Sequence, residues 1–348
     1  MEAPDPRLLR LLEENGGWVS FEQYMRTALY DEGFGYYTAG IRNVGRTGDF
    51  STAAAPDSLL GRALARWARR ERQKLRGRMW HLIEIGGGNG DLAATILHRL
   101  GFLGRLGLTY HLVEISQPLQ KLQEAKLRRF RVRWHTSTEG ALGACNGVAV
   151  VFSNEWVDAT PCRRFCRNLE GWQELGAALE AGKIRECTRA IKPGVGENLT
   201  SSAFDEGSGR SGQVVEVHGA FRCELEKIAA NLIRGSLLTI DYGDHFPALY
   251  HRQPRGTARG YFHHQRVDGA EIYSRMGKQD LTADVNFTDL ENWGALAGLK
   301  TTRFETQRDF ILRHLGNIPA ANTHEARLLD PVGAGTAFKV LHQSLGMA

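Results

Sequence analysis

Residues 84–92 read EIGGGNGDL, and the spacing of Glu84, Gly86, Gly88 and Gly90 is where chemistry first becomes legible. Glycine is costly in regular structure, so a cluster of this kind marks a place where something approaches the backbone closely. The dinucleotide fingerprint GxGxxG fails here: counting from Gly86 and Gly88, the third glycine falls at Asp91. A pyrophosphate seated at the N-terminus of the following helix would meet the Asp91 carboxylate. S-adenosylmethionine carries a sulfonium and an ammonium and no phosphate, and it suits a loop of the form ExGxGxG. Gly86 and Gly88 then let the backbone approach its amino-acid and ribose parts, while Glu84 receives the ammonium directly or through water.

Glu114, in YHLVEIS, supports a nucleoside ligand, because a carboxylate at the end of the next strand can accept both ribose hydroxyls. It does not separate an NAD-type ligand from S-adenosylmethionine, since both carry that ribose. A third group lies in SNEWVDATPCRRF, residues 153–165. Asn154, Glu155 and Asp158 are catalytic candidates, because loops at the carboxyl ends of strands in such sheets face the reactive end of the ligand. Carboxylates there can orient a cationic nucleophile such as a guanidinium. The competing reading makes Asp158 a helix N-cap and Glu155 a solvent-facing residue.

These groups need a parallel sheet to hold them. Short apolar runs alternate with helical patterns from Trp80 onward, and strands are expected at 80–85, 109–115, 131–135, 147–153 and 235–242. Helices are expected at DLAATILHRL, QPLQKLQEAKL, SLLGRALARWARRERQKL and FRCELEKIAANLI, and two more in the N-terminal region, the second opening at Ser20 as N-cap. The glycine-rich stretch 31–52 has too many aromatics for a flexible linker and is expected to be an ordered covering loop. Residues 160–212 and 244–290 read as irregular insertions, and the C-terminal TTRFETQRDFILRHLG and GTAFKVLHQSL as strands and a helix closing the sheet. Asp241 and Tyr242, at the end of the fifth strand, are candidate pocket residues.

The 348-residue chain, 42% hydrophobic and 24% charged, has the composition of a soluble globular protein, and no apolar run reaches the roughly 20 residues of a membrane span. The N-terminal residues resemble neither a signal nor a transit peptide, and the expected compartment is the cytoplasm. A net charge of +5 comes partly from basic clusters at 66–78 and 126–133, read as solvated faces because no nucleic-acid-binding motif accompanies them. Five cysteines without a CxxC pair argue against disulfides and against a zinc site. His263 and His264 lack a spaced third ligand, so no metal is expected.

With these residues collected, the sequence resembles the MidA family, bacterial relatives of the mitochondrial complex I assembly methyltransferase. The blocks FEQYMRTALYDEGFGYYT, GDFSTA, FSNEWVDATP, LLTIDYG, RGTARGYFHH, QDLTADVNF and GTAFKVL follow the family's order through most of the chain. The resemblance implies an α/β fold: a Rossmann-like class I methyltransferase sheet, with a helical cap and glycine-rich loop over 1–75. The S-adenosylmethionine-dependent domain would cover 76–348, with insertions at about 160–230 and 244–290. It implies that Gly48, Asp49, Phe50, Ser51 and Thr52 line the cofactor pocket beside Gly86, Gly88 and Glu114, and that Asn154, Glu155 and Asp158 face the methyl group. It further implies a protein substrate, methylated on arginine, of the respiratory complex I type. Gly87, Thr160, Ala258 and Asp284 depart from the family's usual residues, mostly in the insertions. Two other readings remain: a cofactor-binding assembly chaperone without catalysis, and an NAD-dependent oxidoreductase, which Asp91 disfavours.

Overall fold

A computed structural model describes residues 4–40, 58–75, 77–191, 200–204, 210–263 and 265–346. The chain divides into two compact units. The sheet unit comprises residues 42–157, 223–243 and 291–348, and the insertion unit comprises 1–41, 158–222 and 244–290.

In the sheet unit the apolar runs become β1 (Trp80–Ile85), β2 (Leu108–Val113), β3 (Val132–His135), β4 (Val148–Asn154) and β5 (Arg234–Asp244), joined by β6 (Lys300–Thr306) and β7 (Phe338–Leu345). They lie in the order β6-β7-β5-β4-β1-β2-β3. β1 to β5 pair in parallel, and β7 runs antiparallel between β5 and β6. Strand order reverses between β1 and β4, and in open α/β sheets ligands bind beyond the carboxyl ends of the strands at such a switch point.

The helices are α1 (Leu59–Lys74), α2 (Asp91–Gly104), α3 (Gln117–Leu127), α4 (Thr138–Gly143), α5 (Gly219–Asn231) and α6 (Gln307–Leu315). Ser58 caps α1 by accepting from the Gly61 amide at 3.1 Å. α1 packs against α2 and α6, and its Leu64 and Trp67 join Leu82, Ile96, Phe152, Ile240 and Phe310 in one apolar core. Burying each such side chain contributes roughly 1.5–3 kcal/mol. Gly61 permits the close approach of α1 to α2, for a Cβ there would lie 2.6 Å from Thr95 Cγ2.

The insertion unit departs from the sequence expectation. Residues 160–212 are not simply irregular: Arg163–Asn168, Gly171–Glu180 and Lys183–Ala190 form antiparallel strands, extended by Trp18–Ser20 and Val214–Val217. Their sequence, KIRECTRA for instance, alternates polar and part-buried positions along an exposed edge, so no apolar run marks them. Residues 244–290 likewise hold a small sheet in which Arg259–Phe262 pairs with Gln265–Val267 and Asp280–Thr282. The two N-terminal helices form at Pro6–Glu14 and Phe21–Tyr30, the second capped by Ser20 as expected.

Buried charge ties this unit together. Arg164 is 4% exposed and pairs with Glu186 and Glu216. Glu216 also accepts from the Thr257 amide and hydroxyl at 3.0 Å, and Arg259 binds Asp284 at 2.6 Å.

Candidate functional site

The turn between β1 and α2 places Gly86, Gly88 and Gly90 at φ of 71°, 52° and 81°, where a side chain would be strained. A Cβ on Gly88 would meet nothing within 4 Å, so the backbone lies open to a ligand at that point. Asp91 begins α2, and its carboxylate binds Lys126 Nζ at 2.5 Å and Asn89 Nδ2 at 2.7 Å. The Lys126 ammonium offsets the charge on which the sequence argument against phosphate rests, so Asp91 alone does not discriminate between ligands.

Glu84 and Glu114 are both buried. Tyr110 on β2 donates its hydroxyl to Glu84 Oε2 at 2.6 Å. Burial pushes the Glu84 carboxyl up to about 8, with Tyr110 pulling it down and Glu114 adding to the rise. Burial also raises Glu114 to about 7, against hydrogen bonds from the Ser116 amide at 2.9 Å and Gln123 Nε2 at 3.3 Å. Among the described residues no salt bridge reaches either acid. Two carboxyls desolvated without a counter-cation suit a ligand that brings positive charge and hydroxyl donors.

Gln123, on α3, is a residue that sequence reading missed. It is fully buried, and its Nε2 donates to Gly88 O at 2.7 Å as well as to Glu114. Its Oε1 accepts from Trp134 Nε1 at 2.9 Å. One amide thus clamps the glycine turn to the expected ribose acid. The only hint in the sequence is a polar residue on the apolar stripe of QPLQKLQEAKL, a weak signal.

β4 ends in Asn154, and Glu155 follows with φ 52°, a left-handed conformation uncommon for a non-glycine residue and typical of strained functional turns. The Glu155 amide donates to Ile240 O at 3.0 Å, and Asn154 Nδ2 donates to Glu155 Oε1 at 3.1 Å. Asn154 Oδ1 is buried and accepts no hydrogen bond among the described residues. Asp241 is fully buried and accepts from the amides of Val157 and Tyr242, each at 2.9 Å. It braces the Asn154–Val157 turn from β5. The Tyr242 ring packs at a tilt against Phe338, with ring centroids 3.8 Å apart.

In the insertion unit Asp158 accepts from Thr282 Oγ1 at 2.7 Å. No helix starts there, so it is not an N-cap. Burial raises its carboxyl, with Thr282 and Arg259 opposing. Asp280 in the same unit is pushed up to about 7 by burial, against a hydrogen bond from Tyr37, while Asp158 adds to the rise. Gly48, Asp49, Phe50, Ser51 and Thr52 lie outside the described residues, as does His264; His263 is exposed beside Phe262.

A doubly wound sheet whose switch point carries a glycine turn, with an acid beyond the neighbouring strand, defines a Rossmann-like nucleoside-binding protein. Residues 63–305 match the family described as S-adenosyl-L-methionine-dependent methyltransferases, and the chain belongs to that family, as its resemblance to the MidA proteins implies. Its cofactor is S-adenosyl-L-methionine, which the open Gly88 backbone and the buried Glu84 and Glu114 fit. The chain is similar to the protein arginine methyltransferase NDUFAF7, mitochondrial, of Danio rerio, at 28% identity over 79% of this chain and 68% of the relative. The Mus musculus protein of the same name is 26% identical over 93% of this chain and 76% of its own length. A Burkholderia thailandensis protein crystallised with S-adenosyl-homocysteine superposes with a TM-score of 0.82 at 26% identity, covering 100% of this chain and 96% of its own. No helix among the described residues is long and apolar enough to cross a membrane.

Proposed function

We propose that this methyltransferase acts on a guanidinium nitrogen of an arginine in a protein substrate. The observation that carries the reading is Glu155: a carboxylate held at the carboxyl end of β4 in a left-handed turn, oriented by Asn154 and braced by Asp241. A planar guanidinium suits such an acceptor, which accepts two of its N–H groups in parallel. Asp158, in the insertion unit, enters as a further catalytic candidate through the MidA resemblance. The relatives named as protein arginine methyltransferases favour the same substrate class.

The reaction is a displacement in which an arginine nitrogen lone pair forms the N–C bond as the S–C bond breaks. Bound S-adenosylmethionine would supply the methyl group and leave as neutral S-adenosylhomocysteine, and the arginine nitrogen would release its proton to Glu155 or water. Glu155 draws guanidinium charge toward itself, leaving the attacking nitrogen's lone pair free to point at the methyl group. Alignment of the reacting atoms contributes up to roughly 7–11 kcal/mol when well realised. Following the MidA resemblance, we assign the substrate to a respiratory complex I type subunit.

The test is incubation with methyl-labelled cofactor and protein extract, followed by mass spectrometry of labelled peptides. Methylarginine in a discrete protein supports the reading. Label on lysine, on a carboxylate or on a small molecule overturns it, and cofactor binding with no transfer favours the assembly chaperone instead.

A further inference from the structure

The two faces of β1 to β3 differ. Leu82, Glu84, Tyr110 and Leu112 point to the side of the cofactor acids and the apolar core, whereas His81, His111 and His135 line the other side, one from each of three adjacent strands. His81 Nδ1 lies 3.0 Å from His111 Nε2, and His111 Nδ1 lies 2.9 Å from His135 Nε2. Cys145, just beyond α4, brings its Sγ to 3.5 Å from His111 Nε2. His111 and Cys145 are buried, while His81 and His135 are part-exposed. The ligand atoms of His81, His111 and Cys145 all lie within 4.8 Å of one another.

We propose that His81 Nδ1, His111 Nε2 and Cys145 Sγ form a binding site for a borderline-soft divalent cation of the zinc type, with water in the fourth position. At metal–nitrogen and metal–sulfur bonds of roughly 2.0–2.1 and 2.3 Å, tetrahedral ligands stand about 3.3 Å (N to N) and about 3.6 Å (N to S) apart. The observed 3.0 and 3.5 Å lie close to those edges. The second shell is present as well, because His135 holds the remaining nitrogen of His111 and so fixes which one faces the cation. The Cys145 thiol donates to Ala141 O at 3.1 Å. Binding replaces that S–H with an S–metal bond and releases the proton to water, and His81 carries its own proton on Nε2. Arg131 and Arg133 bear charge near the cluster, but both are exposed, where solvent screens them, and the thiolate supplies a compensating negative charge. Part-exposed His81 gives the ion an entry path. The cysteine spacing gave no sign of this site, since its ligands come from two strands and a helix end and meet only once the sheet is formed.

The 348-residue protein, stripped of any purification tag and dialysed against chelator, is titrated with Co2+ and then Zn2+, reading the thiolate-to-cobalt charge-transfer absorption. The expected result is one equivalent of Co2+ with a charge-transfer band that Zn2+ abolishes. Cys145→Ser removes the band, and His81→Gln weakens binding by at least about 100-fold, whereas His135→Ala weakens it about 10-fold and keeps the band. Absence of a band, or a band that Cys145→Ser and His81→Gln leave intact, overturns the proposal. His81 is part-exposed, so His81→Gln remains a decisive variant even where Cys145→Ser misfolds. The thermal shift with S-adenosylhomocysteine reports folding in every variant, and the outcome is independent of whether arginine is the substrate.

Discussion

The sheet unit and the insertion unit keep their shape by different means. The first buries a large apolar cluster against its strands, together with the carboxylates Glu71, Glu84, Glu114 and Asp241. The second places Arg164, Glu216 and Arg259 inside a fold built from antiparallel strands with one polar side. Apolar packing tolerates substitution in proportion to the volume lost, whereas a buried ion pair fails abruptly when one partner goes, because the other is left desolvated and alone.

The contrast is tested most strongly at Arg164. Arg164→Ala should destabilise the protein by about 3–5 kcal/mol, measured by urea unfolding, because it strands Glu216 in a site where it is 0% exposed. A loss no larger than that of a surface substitution would dissolve the distinction between the units. Glu155→Gln comes next: transfer to protein should fall by about 100- to 1,000-fold while the calorimetric affinity for S-adenosylmethionine stays within a factor of about two. Equal loss of both would make Glu155 part of the cofactor site.

Gln123→Leu should raise the dissociation constant of S-adenosylhomocysteine about tenfold, or about 1.4 kcal/mol, by releasing Gly88 and Glu114 from one clamp. A further test lies in pH. The folded-state values of about 8 for Glu84 and about 7 for Glu114 lie above the 4.5 of an ordinary glutamate. Across that window the folded chain holds protons that the unfolded chain has released, so this part of the stability is present at low pH and is lost as pH rises. The melting temperature of the ligand-free protein should therefore fall between about pH 5 and about pH 8, and Glu84→Gln should flatten the decline.

What could be read in advance follows the same division. β1 was legible to the residue as WHLIEI, since burial on both faces turns a strand into a mostly apolar run, and Ser20 announced its helix as a cap. The places of Glu84, Glu114 and Glu155 at strand ends were legible because each is a charged residue next to an apolar run. Lys183–Ala190 was not, for an edge strand carries its meaning in its partner, nor was Gln123, whose role arises only when α3 lies beside the glycine turn. Asp241 reads as a pocket residue, and its carboxylate accepts from the Val157 amide in the turn after β4. The histidine row was hidden for the same reason as Gln123: three strands must align before its members are neighbours.

β4 and β5 are hydrogen-bonded neighbours, yet about eighty residues of chain separate them, most of which lie in the insertion unit. Closing so long a loop delays contact formation, and non-local pairings of this kind slow folding. The hairpins joining Arg163–Asn168, Gly171–Glu180 and Lys183–Ala190 turn within a few residues, and Arg163 pairs with Val217, which brings the two ends of the excursion together. The insertion would then shorten the search by which the central strands find each other.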